Sequence, residues 1–272
     1  MREWAFLIAV AAALGALAGC DRPRPAAGPT PPADGDGPGL TLADGFERGS
    51  LADFWLPGNY GTGLYEPEAV VVSGAYARTG TRSARITVKQ GDVEQRGDDG
   101  RRVERAELDS GHHRLLGRDA WYGFSFLLPP DFPIVDNRLV LASWKQSDVE
   151  GSPLIGQRFQ AGRHTVTIRP PGASGSGTRY RLPDLRLGRW TDMVYHVRYS
   201  PGDDGRVEVW MDGGRVVSYN GPTADKAGAD RFYNKVGLYR DRWPAPMTVY
   251  VDNYTLGDSF AAVDPSRFDQ RP

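Results

Sequence analysis

The heptapeptide Tyr233-Asn234-Lys235-Val236-Gly237-Leu238-Tyr239 places a lysine between two phenols at alternating positions. Residues i, i+2 and i+4 of an extended strand share a face. Tyr233, Lys235, Gly237 and Tyr239 would therefore point one way, and Asn234, Val236 and Leu238 the other. A cation and a phenol side by side over a residue without a side chain can move a proton at a bound substrate. Upstream, Arg105-Ala106-Glu107-Leu108-Asp109 carries charge at each alternate position. Charge on one strand face is ordinary where that face meets water. Two such strands in one sheet would instead line a polar groove.

The elements that must hold these residues read as strands. The chain from residue 40 onward has no long apolar pattern of period 3.6 and no internal repeat. Short alternating or β-branched runs recur instead, broken by Gly, Pro, Asn and Asp. They are Ala69 to Val72, Ser83 to Val88, Arg102 to Leu108, Ala120 to Leu128, Arg138 to Trp144, His164 to Ile168, Asp192 to Tyr199, Arg206 to Met211, Lys235 to Tyr239 and Thr248 to Leu256. Val207 to Val217 alternates strictly around Asp212-Gly213-Gly214, a hairpin signal. In Trp121 to Leu128, the residues Tyr122, Phe124, Phe126 and Leu128 form the expected core face, and Pro129-Pro130 ends the strand. The only helix-length stretch, Ser50 to Trp55, is too short to matter. This spacing predicts an all-β fold, a two-sheet antiparallel sandwich or jelly roll.

The N-terminus has a different character. Arg2 precedes an apolar run from Trp4 to Ala18 that ends in Leu17-Ala18-Gly19-Cys20. A run this short before small residues reads as an export signal rather than a membrane span. The ending resembles the lipobox of bacterial lipoproteins, which implies cleavage before Cys20, acylation of that residue and stable attachment to a membrane. Residues 1–19 are thus the expected signal peptide. Residues 20–39, rich in Pro, Gly, Ala and Asp, are a tether, and residues 40–272 form one domain. The expected location is exported and lipid-anchored, on the periplasmic side or the cell surface.

Cys20 is the only cysteine, so the mature domain has no disulfide and no thiol chemistry. Four histidines and no H-E-x-x-H pattern argue against a catalytic zinc. His112-His113 are expected in a loop, and His164 and His196 at satisfied or solvated strand positions. A formal net charge of −1 offers no general attraction to nucleic acid.

Arg105-Ala106-Glu107-Leu108, Ser143-Trp144-Lys145 and Tyr233 to Tyr239 stand in the order and approximate spacing of three motifs, R-x-E-L, Q-x-H and Y-F-K-x-G-x-Y. With these the chain resembles the β-jelly-roll polysaccharide lyases, a group including alginate, glucuronan and type-I heparin lyases. Trp121 to Ser125, the following Leu-Pro-Pro-Asp-Phe, and Leu187 to Trp190 are similar to the heparin-lyase-I-like branch. The resemblance spans roughly residues 44 to 257 and implies a concanavalin-like jelly roll. It also implies β-elimination on an anionic, uronic-acid-containing polysaccharide.

Such a lyase removes the C5 proton of a uronate and expels the C4-linked sugar, so charge growing on the carboxylate must meet preorganised donors. The resemblance assigns this to Arg105, whose guanidinium forks onto a carboxylate, and to Lys235 and Lys145. Tyr239 would transfer protons, as an acid or, if neighbouring cations lower its pKa, as a base. Glu107, Ser143, Trp144, Arg158 and Tyr233 are the further substrate-binding candidates, with Trp144 equally readable as core. The chain departs from the motif at Ser143 and Lys145, where the amide and the imidazole base are replaced. Either a depressed Lys145 is the base, or Tyr239 serves as both base and acid.

Bland readings stand beside these. Arg105 and Glu107 could form a surface ion pair, and Lys235 and Tyr239 a snorkelling lysine and a half-buried phenol. The whole domain could be a non-catalytic carbohydrate-binding module. A laminarinase-type hydrolase is prompted by Glu107-Leu108-Asp109, but His112 stands where its second glutamate is needed. Glu47 and Asp252 resemble the paired carboxylates that hold a structural calcium in jelly-roll carbohydrate domains. No catalytic cofactor is expected. The expected partners are an anionic polysaccharide and, through the anchor, a membrane, with the protein a monomer.

Overall fold

The computed structural model describes residues 40–56, 66, 68–92, 95–96, 100–149, 151–173 and 177–269. The expected signal peptide, Cys20 and the tether lie outside them. In chain order the strands are β1 (Leu40–Asp44), β2 (Val70–Ser73), β3 (Ser83–Val88), β4 (Gln95–Arg96), β5 (Arg102–Asp109), β6 (His113–Arg114), β7 (Asp119–Leu127) and β8 (Leu139–Gln146). There follow β9 (Ile155–Gln160), β10 (Arg163–Ile168), β11 (Thr178–Arg181), β12 (Trp190–Arg198), β13 (Arg206–Met211), β14 (Gly214–Asn220), β15 (Arg231–Asp241) and β16 (Met247–Gly257). The only α-helix among the described residues is α1 (Phe260–Val263).

Two antiparallel sheets form. One runs β14-β13-β12-β7-β16-β3-β2, with β1 on β16; the other runs β11-β10-β9-β8-β15-β5-β4, with β6 on β15. Period-two alternation buries one face of each. Tyr122, Phe124 and Phe126 from the first sheet are buried against Ala142, Trp144, Val236 and Leu238 from the second. Tyr122 and Tyr195 meet the Trp144 ring at centroid distances of 5.8 and 4.1 Å, which ties the two layers together. Each such side chain contributes on the order of 1.5–3 kcal/mol of burial.

Every strand anticipated from alternation is present, and Ser83–Val88 and Arg206–Met211 have the anticipated ends. The β13–β14 hairpin turns at Asp212 and Gly213, both with positive φ of 49° and 80°, as an Asp-Gly turn requires. Ser50 to Trp55 is not helical. The strand β9 was not anticipated because its core face reads Ile155, Gln157, Phe159, with an amide in the middle. Gln157 is fully buried, accepts from Tyr195 Oη at 2.8 Å and lies 3.0 Å from His164 Nε2. Burial pulls His164 down to about 4, so it is a neutral core imidazole.

The polar candidates lie on the other face of the second sheet. β15 pairs Lys235 with Asp109, Gly237 with Glu107 and Tyr239 with Arg105 on β5. On β8 it pairs Tyr233 with Lys145 and Lys235 with Ser143, then shifts so that Tyr239 meets Val140. Gly237 sits at this shift with φ 143°, and a Cβ there would lie 2.5 Å from Ala106 O and 2.9 Å from Glu107 Cα, backbone that cannot yield. We expect Gly237→Ala to cost about 2–4 kcal/mol of stability, read from the shift of the urea midpoint at constant slope. A loss within about 0.5 kcal/mol would show that the register shift does not depend on glycine.

Candidate active site

Residues on this outer face are nonetheless largely hidden: Glu107, Asp109, Tyr233, Lys235 and Ser143 are all buried although they point away from the core. We read the floor they form as a recess, one edge of which is reached by Leu56, bridged to Asp109. Its polar side chains fall into two groups, whose outer members Tyr233 and Tyr239 are six residue steps apart along β15, roughly 20 Å of strand.

At one end Tyr239 lies among guanidinium groups. The Cζ atoms of Arg105 and Arg138 stand 4.7 and 5.5 Å from its ring centroid. Arg158 is directly across Val140 on β9 and interacts electrostatically with both Tyr239 and Arg138. Burial pulls the Arg158 pKa down, and the charges of Arg138 and Arg179 add to that. Asp241 braces the cluster, accepting from Arg138 Nε at 2.8 Å and pairing with Arg101 at 3.1 Å. Burial pushes the Tyr239 phenol above its ordinary value; Arg138 and Arg105 oppose this, and Glu107 and Asp241 reinforce it. The free protein thus holds Tyr239 as a neutral phenol at pH 7.

At the other end Lys235 Nζ lies 3.6 Å from Asp109 Oδ2 and 5.5 Å from the Tyr233 ring centroid. Burial raises the Asp109 carboxyl, with Lys235 the strongest opposing influence. Gly111 N–H donates to Asp109 at 3.0 Å. His112 stacks on Tyr233 at 4.5 Å, and its Nδ1 is 2.8 Å from Ser147 Oγ. Burial pulls the His112 pKa down against the pull of Asp109, leaving a neutral imidazole.

Of the sequence candidates, the structure brings Arg105, Glu107 and Arg158 to Tyr239, and Ser143, Lys145 and Tyr233 to Lys235. Lys145 stands across from Tyr233, not Tyr239. Trp144 is a correction: it is wholly buried in the core between Tyr122 and Tyr195, because alternation turns it inward from Ser143 and Lys145. Sequence reasoning missed Arg138 and His112. His112 follows Asp109 by a single turn at Gly111, φ 83°, and that turn was the available signal.

Glu47 and Asp252 do reach one loop, 78–82. Glu47 accepts from the backbone N–H of Arg82 at 2.8 Å and from both Thr81 N–H and Oγ1. Asp252 accepts from Arg78 N–H at 2.8 Å and Asn253 N–H at 2.7 Å. Burial raises Asp252 to about 7, these donors oppose it, and Glu47 adds to it. A calcium ion needs about six to eight oxygen ligands. These oxygens already accept N–H and O–H donors of the loop, and no three of His, Cys, Asp and Glu gather among the described residues.

Three comparisons bear on what this recess belongs to. No curated protein sequence matches the chain. Among solved structures, the endo-β-1,4-glucuronan lyase of the fungus Trichoderma reesei superposes with a TM-score of 0.57 at 21% identity, covering 79% of this chain and 99% of that one. The alginate lyase Aly36B, in a complex with alginate trisaccharide, superposes at 0.52 and 13% identity, covering 81% and 99%. Cellulose induced protein Cip1 gives 0.52 and 15%, covering 80% and 97%. At these identities the likeness is one of fold, a jelly roll. The family model for polysaccharide lyases matches residues 46–255, nearly the whole sandwich, and so the chain belongs to the polysaccharide lyase family.

Proposed function

We propose that the recess cleaves a uronic-acid-containing anionic polysaccharide by β-elimination, with Tyr239 as the proton-transfer residue. The observation that carries this is one phenol set among Arg105, Arg138 and Arg158. A uronate carboxylate lying against these guanidiniums would have its growing charge stabilised in a site sheltered from water. The C5–H bond breaks, its electron pair forms the C4=C5 double bond, and the C4–O4 bond breaks as O4 takes up a proton. With Lys145 at the far end of the recess, Tyr239 performs both transfers, which requires the proton and the leaving group on one side of the ring. Leu17 to Cys20 support the further proposal that this chemistry takes place on a lipid-anchored, exported domain.

The test is near-ultraviolet absorbance of residues 40–272 incubated with a panel of uronate polymers. A lyase leaves an absorbing unsaturated uronyl end, and a binding module leaves each polymer intact. The pH dependence follows from the direction of the Tyr239 shift. A phenol whose pKa lies above about 10 gains phenolate tenfold per pH unit below that value, so kcat/KM is expected to rise with pH at a slope of about one from neutrality to beyond about pH 9. A plateau beginning near pH 7 would instead assign the base to a group with an ordinary or lowered pKa.

A further inference from the structure

We propose that Glu107 is a hydroxyl acceptor that selects sugars with free ring hydroxyls and rejects O-acylated or O-sulfated ones. The proposal rests on the reading of the recess as a uronate-cleaving site. Glu107 points to the polar face, because Ala106 and Leu108 on either side of it are fully buried in the core. It is itself only 4% exposed, yet among the described residues no N–H or O–H group donates to its carboxylate. Its oxygens are not sealed off: they meet solvent at the floor, and a bound ligand's hydroxyl can take that water's place.

Its surroundings say which donor fits. Across the strand pair lies Gly237, where a Cβ would point at the β5 backbone and the core side chain of Ile86 rather than outward, so no side chain stands on the polar face at this level. Lys235 and Asp109 flank the gap on one side, and Arg105 and Tyr239 on the other. A sugar ring seated over Gly237, with its carboxylate on the guanidiniums, presents its remaining ring hydroxyls to the floor. An ionised carboxylate accepts hydrogen bonds and donates none. A hydroxyl satisfies it, an acetyl ester offers no proton and needs more room, and a sulfate adds a like charge against it. The arginines alone would favour any polyanion. Glu107 is the element on this floor that distinguishes carboxylate with free hydroxyls from carboxylate with substituted ones.

The experiment compares naturally O-acetylated polyglucuronate with the same polymer after alkaline de-acetylation, using wild type, Glu107→Ala and Glu107→Gln. Cleavage is followed by absorbance, and binding is measured calorimetrically in a Tyr239→Phe background. Wild type is expected to prefer the de-acetylated polymer by at least about tenfold in kcat/KM. Glu107→Ala is expected to lose about tenfold on that polymer and little on the acetylated one, so the preference collapses. Glu107→Gln, which keeps the shape and one acceptor, should fall between. Equal use of both polymers by wild type overturns the proposal, as does an equal loss on both in the folded variants, which would make Glu107 structural. Should Glu107→Ala fail to fold, the wild-type preference and the Gln variant still decide. If neither polymer is cleaved or bound by wild type, the failure lies with the uronate reading itself.

Discussion

Tyr239→Phe is expected to lower kcat by about a thousandfold while polymer binding stays within about threefold of wild type. The magnitude follows from one group making both proton transfers, since a positioned acid or base contributes typically about 10²–10⁴. Phenylalanine keeps the ring over which Arg105 and Arg138 lie at 4.7 and 5.5 Å, so the guanidinium cluster that would hold the carboxylate survives. Only the hydroxyl is lost. Arg105→Lys should behave differently, because a single ammonium cannot fork onto a carboxylate: KM rises as well as kcat falling. Initial rates by absorbance, with calorimetric binding to the same polymer, separate the two. If Tyr239→Phe retains more than a third of wild-type kcat, the chemistry belongs at the other end of the recess. Tyr233, Lys235 and the neutral His112 would then be the groups to replace.

How much of this was legible in the sequence depends on what sets the side-chain direction. Where a strand is regular, period-two alternation sufficed: Lys235, Tyr239, Arg105 and Glu107 lie on the face their spacing predicts, and so does the aromatic face of β7. The same rule, applied to Ser143-Trp144-Lys145, already sends Trp144 inward, and treating it as a sugar platform went against its neighbours. Arg138 was hidden for a different reason. Counting back from Ser143 by twos reaches Leu141 and Leu139, which would leave Arg138 on the core side. An irregularity between Val140 and Ala142 breaks the count, so Leu139, Leu141 and Ala142 all join the core while Val140 and Arg138 turn to the polar face. A bulge is one extra residue with no composition of its own. His112 was missed because a loop residue has no period, and only the pairing of β15 with both β5 and β6 carries it to Tyr233. The register also separates Lys145 from Tyr239, a distance that motif order could not convey.

The alignment of Arg105 with Tyr239 depends on a pair directly beneath it. Glu104 and Arg240 are register partners one residue along from that contact, and both side chains are fully buried, 2.8 Å apart. The pair reaches well beyond itself. Gly91 N–H donates to Glu104 at 2.7 Å, and Arg240 donates to the carbonyls of Ala245 at 2.7 Å and Trp243 at 3.1 Å. Burial pulls the Arg240 pKa down, and Glu104 is the main influence holding it up. Removing one partner leaves the other charge buried and uncompensated, so Glu104→Leu or Arg240→Met should each cost about 3–5 kcal/mol, even though neither touches the recess. In systems where a buried ion pair is replaced by apolar residues the result is often neutral or stabilising. Here the double variant Glu104→Leu with Arg240→Met should recover only part of the loss, because the Gly91 N–H and the two carbonyls lose their partners at about 1–3 kcal/mol each. Urea denaturation of both single variants and the double completes the cycle. A coupling energy near zero would mean that the two charges do not depend on each other. A coupling of several kcal/mol, with kcat per folded molecule falling only modestly, would place the pair in the scaffold that sets Arg105 against Tyr239.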